Sequence, residues 1–361
     1  MHIINRTLYV ADYTTATDKS GRKHLVVIIK GTYVLPLRDE KAQLMETQLP
    51  LWVADSATGE PGWSAPEYEC DYVLNKPQCD VLLLGTAYAP QGIPTERVAV
   101  GLKVGKLNKA FYVTGKRTWV GGLFGVSPGD PAPFTSQAIS YDVAFGGYQY
   151  SPVHTDNPAV FLQNPVGTGF QKNPEQGSFD GMPMPQTEAA GAPIRSPRRH
   201  YTPMSFGPVG RSWPQRAQYA GTYDAVWEED TFPFLPADFD ERYFQAAPED
   251  QQLPVLTAGE RVTLFNLTHP ALTPSGRLEF TLPNLMVRVR FHPKQGDVTS
   301  ATARADTLLI EPDQQRFSVT WRISLRLRRS SEEIDLVEII APLIETSQPT
   351  ATASHSAAHG L

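Results

Sequence analysis

Residues 97–114 read RVAVGLKVGKLNKAFYVT, and this stretch decides the fold class. Two runs, the alternating RVAVGLKV and its continuation LNKAFYVT, flank the dipeptide Gly105-Lys106. A two-residue connection that begins with glycine is typical of a β-hairpin, because glycine adopts the positive φ angles that the tight turn requires. The stretch therefore predicts two antiparallel strands joined by a tight turn.

Further strands are predicted on both sides of this hairpin. Residues 25–35 (LVVIIKGTYVL) are rich in β-branched side chains, which favours a well-buried strand. The run FSVTWRISLRLRR at 317–329 alternates apolar and polar residues, so one face is expected in the core and an arginine-rich face towards solvent or a partner. Residues 311–315 predict another hairpin turn. The remaining predicted strands are 81–88, 261–267, 277–282, 285–291 and 305–311.

The composition agrees with a mainly β fold. The chain has 361 residues, of which 41% are hydrophobic, 32 are proline and 27 are glycine. This apolar fraction suffices for a core, and so much proline and glycine suits many strands joined by tight turns. We therefore expect an antiparallel β-sandwich or barrel-like sheets, with a Pro/Gly-rich loop region and a few short helices in the middle of the chain.

Changes in sequence character divide the chain into five regions. Two β-rich regions flank a Gly/Pro-rich loop region and a segment crowded with aromatic residues. The last region, TSQPTATASHSAAHGL, is polar and made of small residues, so it is expected to be disordered. In chain order the regions are 1–120 (β-rich), 121–200 (loop), 201–254 (the aromatic segment), 255–345 (β-rich) and 346–361 (tail).

The spacing of polar residues predicts short helices in the aromatic segment. One helix is expected at 213–220, and Thr222 is placed to cap a second turn with Tyr223 and Trp227 on one face. The predicted capping pairs, three residues apart, are Ser212 and Gln215, Asp238 and Glu241, and Ser330 and Glu333 near the end of the chain. The last pair would begin a helix, although IDLVEII at 334–340 fits a strand equally well.

Several classes of function are excluded or disfavoured by charge and cysteine content. The formal net charge is −6, so there is no overall basic field of the kind that draws proteins to nucleic acid. Cys70 and Cys79 match neither a zinc motif nor a disulfide-dense scaffold. Neither a secretory signal nor a membrane span is evident, so we expect a cytoplasmic protein that binds neither nucleic acid nor membrane.

Neither a metalloprotease motif nor a nucleotide-binding loop is present in the sequence. There is no H-E-x-x-H and no P-loop. Gly167 and Gly169 lack the rest of a dinucleotide-binding motif and are expected to form a turn. The histidines that could ligate a metal are scattered singly, at His154, His200, His269 and His292. We therefore expect no enzyme, no cofactor and no metal site.

The alternative to a non-enzymatic protein is a hydrolase, with carbohydrate as a candidate substrate, and it rests on a cluster of carboxylates. Paired carboxylates at a suitable separation can hydrolyse a glycosidic bond. Helix capping and solvation explain the same residues, and we favour that interpretation. The cluster comprises Glu228, Glu229, Asp230, Asp238 and Asp240.

The aromatic segment is also the candidate partner-binding site. Tryptophan, tyrosine and arginine dominate the energetically important positions of protein interfaces, and arginine can stack on rings or fork onto carboxylates. Pairing of these arginines with Glu228, Glu229 or Asp230 inside the protein is the open alternative. The candidate residues are Arg211, Trp213, Arg216, Tyr219, Tyr223 and Trp227.

The sequence resembles the DUF2169 family, a domain of unknown function linked to bacterial type VI secretion. The motifs that carry the resemblance are YDVAFGGY at 141–148, NPVGTGF at 164–170, FGPVGRSWPQRAQYAGTYDAVW at 206–227, FPFLPADFDERYFQAAPEDQQL at 232–253 and LIEPDQQRFSVTWR at 309–322. The resemblance implies a cytoplasmic adaptor or chaperone that holds a toxic effector and loads it onto the VgrG spike, often alongside a PAAR-type protein. It implies no catalytic centre and supplies no partner-binding residues.

Overall fold

The computed structural model describes residues 1–37, 40–123, 125–149, 159–171, 179–328 and 333–341. The fold is mainly β, with a nearly closed barrel-like sheet and other antiparallel sheets, as the sequence predicted. Among the described residues, no helix combines the length and the apolar character needed to cross a membrane. The tail at 346–361 lies outside the described residues.

The described strands are short in the middle of the chain and long at both ends. In chain order they are β1 (His2–Asn5), β2 (Val10–Thr17), β3 (Lys23–Val34), β4 (Cys79–Leu83), β5 (Gly85–Tyr88), β6 (Arg97–Val104), β7 (Leu107–Thr114), β8 (Trp119–Gly122), β9 (Gly125–Pro128), β10 (Ser136–Ile139), β11 (Phe145–Gly146), β12 (Tyr148–Gln149), β13 (Ala159–Val160), β14 (Thr168–Gly169), β15 (Thr187–Ala189), β16 (Gln252–Leu253), β17 (Arg261–Phe265), β18 (Arg277–Thr281), β19 (Val287–Pro293), β20 (Thr299–Glu311), β21 (Arg316–Arg326) and β22 (Ile334–Ile340).

Helices are confined to short pieces. Two α-helices lie in the aromatic segment, α1 (Pro214–Ala217) and α2 (Ala225–Asp230). The 3-10 helices of the described residues are Pro90–Gly92, Tyr141–Val143, Glu241–Phe244, Glu249–Gln251 and Pro312–Gln314.

The largest sheet curls back on itself. Its main path runs β1-β22-β19-β20-β21-β3-β2, and β4 and β16 extend it from β20. The strands β1 and β2 lie at opposite ends of this path, yet only residues 6–9 separate them along the chain. A connection that short keeps the two ends of the sheet close together. Two pairings are parallel, β1 with β22 and β4 with β20, while the others in this sheet are antiparallel.

The short connection between β1 and β2 closes over the interior of this sheet. Tyr9 stacks on the fully buried Trp321, with ring centroids 5.1 Å apart, and its hydroxyl lies 2.9 Å from that of Tyr33. A side chain at Gly31 would collide with the Tyr9 ring, since a Cβ there would lie 2.7 Å from it. Glycine at 31 is therefore what lets the connection pack onto the sheet.

A second, five-stranded sheet shares the same apolar core. Its order is β15-β7-β6-β17-β18, and every pair is antiparallel. Side chains from both sheets, such as Val100 and Leu264 on one and Ile29 and Val289 on the other, belong to one contiguous cluster. The two β-rich regions at 1–120 and 255–345 thus contribute strands to both sheets.

Most strand predictions are confirmed, with local corrections. The hairpin at 97–114 forms as β6 and β7, and Gly105 has the positive φ of 54° that its turn requires. The predicted strand at 81–88 is instead divided into β4 and β5, with Leu84 between them. The final helix is wrong: residues 334–340 form β22, which lies between β1 and β19.

The outer face of the large sheet carries a buried network of charged side chains. The sequence predicted an arginine-rich face towards solvent or a partner, but Arg322 is buried and pairs with Asp306. Lys30 pairs in the same way with Asp71. Burial raises the pKa of Asp306 and lowers that of Lys30, in both cases by removing the charged form from water.

The aromatic segment is fastened to this network through Asp80. This fully buried carboxylate accepts hydrogen bonds from the backbone N–H groups of Ala246 at 2.8 Å and Ala247 at 3.2 Å. It also accepts one from Gln245 Nε2 at 2.6 Å and pairs with Lys76 at 2.7 Å. The end of the aromatic segment is therefore held rigidly on the sheet.

Candidate partner-binding site

The first half of the aromatic segment lies inside the protein. Trp213 is only 4% exposed and meets Tyr141 edge to face, with ring centroids 5.1 Å apart. Both belong to a small apolar cluster with Ala65, Ala144 and Val209. Trp213 is thus a core residue, and the capping box does not form: Trp213 itself is the N-cap of α1, without a side-chain bond from Ser212.

Arg216 is buried and joins three parts of the chain through its hydrogen bonds. It is 2% exposed and donates to both carboxylate oxygens of Glu69, at 2.9 and 2.8 Å. Its other hydrogen bonds reach the carbonyl oxygens of Val209 and Tyr243, each at 3.0 Å. This fork joins α1 to the loop that carries Glu69.

Arg211 continues the same network at its rim. It donates to Asp55 at 2.5 and 3.1 Å and also pairs with Glu69. Burial acts to raise the pKa of Asp55, but hydrogen bonds from Arg211 and from the N–H of Cys70 hold that pKa below its usual value. Internal pairing of the arginines is therefore confirmed, but the suggested partners Glu228, Glu229 and Asp230 were wrong: the carboxylates come from Asp55 and Glu69.

The second half of the segment forms a small exposed lobe. We call residues 222–238 the aromatic lobe. Its base is closed by Asp238, which accepts hydrogen bonds from the backbone N–H and the hydroxyl of Thr222. Asp224, and not Thr222, caps α2 by accepting from the N–H of Trp227 at 2.9 Å. Likewise Asp240, and not Asp238, caps the 3-10 helix at Glu241–Phe244.

The rings of the lobe are ordered by contacts with one another. Trp227 meets Tyr223 at 4.7 Å and Phe232 at 5.6 Å between centroids, and its indole N–H donates to the carbonyl oxygen of Phe234 at 2.9 Å. Tyr223 and Trp227 are therefore in contact, but the predicted shared helix face does not form, because Tyr223 precedes α2 and its cap Asp224. Despite these contacts the lobe remains accessible, with exposures of 54% for Tyr223, 64% for Val226, 66% for Phe232 and 46% for Phe234.

A cleft separates the buried half of the segment from the loop region. It has a volume of about 580 Å³ and is lined by Tyr219, Arg242 and Lys109, among others. The guanidinium of Arg242 lies 4.2 Å from the centre of the Tyr219 ring. Lys109 is nearly inaccessible and donates to Gln251 at 2.8 Å and Asp250 at 3.1 Å. The candidate residue Tyr219 therefore lines this cleft and stacks with Arg242.

The five carboxylates on which the hydrolase alternative rests form different interactions and do not act as one group. Asp238 bonds to Thr222, and Asp240 caps a helix and pairs with Arg242 at 2.7 Å. The remaining three, Glu228, Glu229 and Asp230, are exposed on α2. Capping, pairing and solvation account for this cluster.

The glycine-rich motifs of the loop region pack against each other. Strand β11 pairs in parallel with β14, and the buried Asn164 donates to the carbonyl oxygens of Tyr141 and Phe145. The N–H groups of Gly147, Thr168 and Phe170 donate to backbone oxygens within these motifs. Gly167 thus ends a turn that begins at Asn164, as predicted, whereas Gly169 lies in strand β14.

The predicted histidines are not brought together. His200 lies among the rings of Phe145, Phe161 and Phe170, whereas His269 contacts Tyr88 and His292 lies beside Glu338. His154 lies outside the described residues. Within the described part of the chain, no group of three or more His, Cys, Asp or Glu side chains is arranged to hold a metal ion.

Comparison with known proteins places the chain in one family. Residues 20–322 match the family described as "Uncharacterized protein conserved in bacteria (DUF2169)". The chain therefore belongs to the DUF2169 family. No curated protein and no solved structure matches it.

Proposed function

We propose that this protein is a cytoplasmic adaptor that binds a type VI secretion effector and helps to load it onto the VgrG spike, with or without a PAAR-type protein. Membership of the DUF2169 family supports the proposal, because the resemblance to that family implies such a role. The observation that carries it is the aromatic lobe, which presents four exposed apolar side chains on a braced base.

The lobe has the properties of a protein-binding surface. Clustered aromatic side chains contribute most to binding when they are fixed in place before the partner arrives, since less conformational entropy is then lost. Trp227 is held by its bond to Phe234, and the segment beyond the lobe is fastened to Asp80. Of the six candidate residues, Tyr223 and Trp227 lie in the lobe, while Trp213 and Arg216 are buried outside it.

Co-purification from a cytoplasmic extract tests the proposal. Wild-type protein should recover an effector or spike protein in stoichiometric amount, and a Trp227→Ala/Phe232→Ala variant should lose that recovery. A matched control is Trp63→Ala, which removes an exposed tryptophan (61%) outside the lobe. Equal recovery by the lobe variant and the control would contradict binding through the lobe.

Whether the protein is present in the exported particle distinguishes an adaptor from a structural component. An adaptor that is released before firing should be absent from the exported particle, while a structural component should be present in stoichiometric amount. Quantitative mass spectrometry of secreted particles measures this ratio, with VgrG as the internal standard.

A further inference from the structure

Four basic side chains meet at one end of the large sheet. Arg22 and Lys23 belong to the turn that leads into β3, and Arg326 and Arg328 to the end of β21. Strands β3 and β21 are paired in register, and the N–H of Leu327 donates to the carbonyl oxygen of Lys23 at 2.8 Å. All four line one open cavity of about 660 Å³. We call them the basic cluster.

The basic cluster brings four positively charged side chains together, and one described carboxylate lies beside it: Glu333 accepts a hydrogen bond from the backbone N–H of Arg328 at 3.3 Å. All four residues are exposed, and none forms an ion pair with a carboxylate in the described part of the chain. The acid in the same turn, Asp18, accepts instead from the N–H groups of Ser20 and Arg22 and from His24 Nε2. In a chain of net charge −6, this is a local concentration of the opposite sign.

The basic cluster is continuous with the aromatic lobe. A methyl group at Gly21 would lie 3.7 Å from the Phe234 ring, so this ring rests on the turn that carries Arg22 and Lys23. In the same turn, Lys19 Nζ donates to the carbonyl oxygen of Phe239 at 3.3 Å, just beyond the lobe. Rings and cations therefore form one surface.

We propose that this surface docks an acidic segment of the secreted effector, a segment in which aspartates or glutamates adjoin apolar side chains. The inference rests on the proposed adaptor function and adds the chemistry of its partner. Guanidinium groups fork onto carboxylates, while the neighbouring apolar side chains cover Phe234 and Phe232. Glu228 and Glu229, which are exposed on α2, repel acidic groups and so favour placing the acidic end of the segment on the basic cluster.

Fluorescence anisotropy with a defined probe tests this docking. The probe is a fluorescein-labelled peptide in which a run of glutamates precedes two phenylalanines, and single-stranded DNA of similar length is the competing polyanion. The variant is Arg22→Glu/Arg326→Glu, with Arg22→Gln/Arg326→Gln as a milder form. The matched control is Arg195→Glu/Arg198→Glu, which reverses two exposed arginines elsewhere.

The expected result is binding of the peptide that weakens at least about tenfold on charge reversal, less on neutralisation, and not in the control. Binding should also weaken as salt is raised to about 0.15 M. Equal affinity of wild type and the charge-reversed variant would overturn the proposal. Tighter binding of the DNA than of the peptide would overturn it too, because the partner would then be a nucleic acid.

Co-purification with the same variants separates this inference from the adaptor function. If Trp227→Ala/Phe232→Ala loses the effector but Arg22→Glu/Arg326→Glu retains it, the acidic-segment proposal fails and the adaptor function stands. If wild type recovers no effector or spike protein, the adaptor function fails, whatever the peptide does. Thermal unfolding of each variant confirms that the protein is folded.

Discussion

Asp238 and Thr222 close the base of the aromatic lobe through two hydrogen bonds, one from the backbone N–H at 3.0 Å and one from the hydroxyl at 2.8 Å. The two residues are 16 positions apart, so one carboxylate fixes both ends of the lobe. These hydrogen bonds also hold the pKa of Asp238 below its usual value. The lobe is thus an exposed structure whose two ends are joined to each other by hydrogen bonds.

Replacing Asp238 should loosen the lobe without unfolding the protein. In Asp238→Ala both bonds are lost, so the amides of α2 should exchange with solvent faster, while amides of β3 and β21 should be unchanged. Hydrogen exchange with mass spectrometry measures both. Asp297→Ala, at another exposed aspartate, is the control. Unchanged exchange in α2 would show that the ring contacts alone hold the lobe.

The two tryptophans of the aromatic segment should respond oppositely to truncation. Trp213→Ala removes a core side chain and should lower the free energy of unfolding by about 3–5 kcal/mol. Trp227→Ala should cost much less stability but abolish partner recovery. Urea denaturation and co-purification of the two variants provide the comparison, and each variant is the control for the other. A larger stability loss for Trp227→Ala would place the lobe in the core.

Breaking the Arg216–Glu69 pair should be costly, and removing both charges less so. Arg216→Met leaves the Glu69 carboxylate paired with Arg211 alone in a largely buried site, which should cost about 3 kcal/mol. Arg216→Met/Glu69→Leu should recover much of this loss, because the buried carboxylate is removed together with its main partner and Arg211 keeps Asp55. A double-mutant cycle in urea measures the coupling. Additive losses would mean that the two side chains do not act as a pair.

The Arg211–Asp55 contact should contribute stability that depends on pH. Because the folded-state pKa of Asp55 is lowered, its contribution is complete above the unfolded pKa of about 3.9 and is lost as the pH falls through the folded value. The stability difference between wild type and Asp55→Asn should therefore shrink between neutral pH and about pH 3. Urea denaturation across this range measures the gap, with Asp297→Asn as control. A constant gap would contradict the assignment.

Local chemistry made parts of this structure predictable. The hairpin at Gly105-Lys106 depends on a backbone angle that glycine favours, and β3 on a run of β-branched residues, so both could be read from neighbouring residues. Such features need no information from distant parts of the chain.

Contacts between distant residues explain what the sequence did not reveal. Arg216 finds Glu69 across 147 positions, and no local pattern separates that carboxylate from the nearer Glu228 or Glu229. Nor does spacing decide that Trp213 is buried against Tyr141 while Phe232 is exposed. The basic cluster was missed for the same reason: its residues come from two strands that only the sheet brings together.

The pairing of β1 with β22 has a consequence for how this chain is made. His2 lies opposite Leu336, so β1 pairs with a strand that is synthesised much later than itself. Until then the curled sheet keeps an open seam, and the rings around Trp321 are not yet enclosed. We expect the nascent chain to finish folding only after synthesis has passed β22, a slow closure because it joins such distant residues.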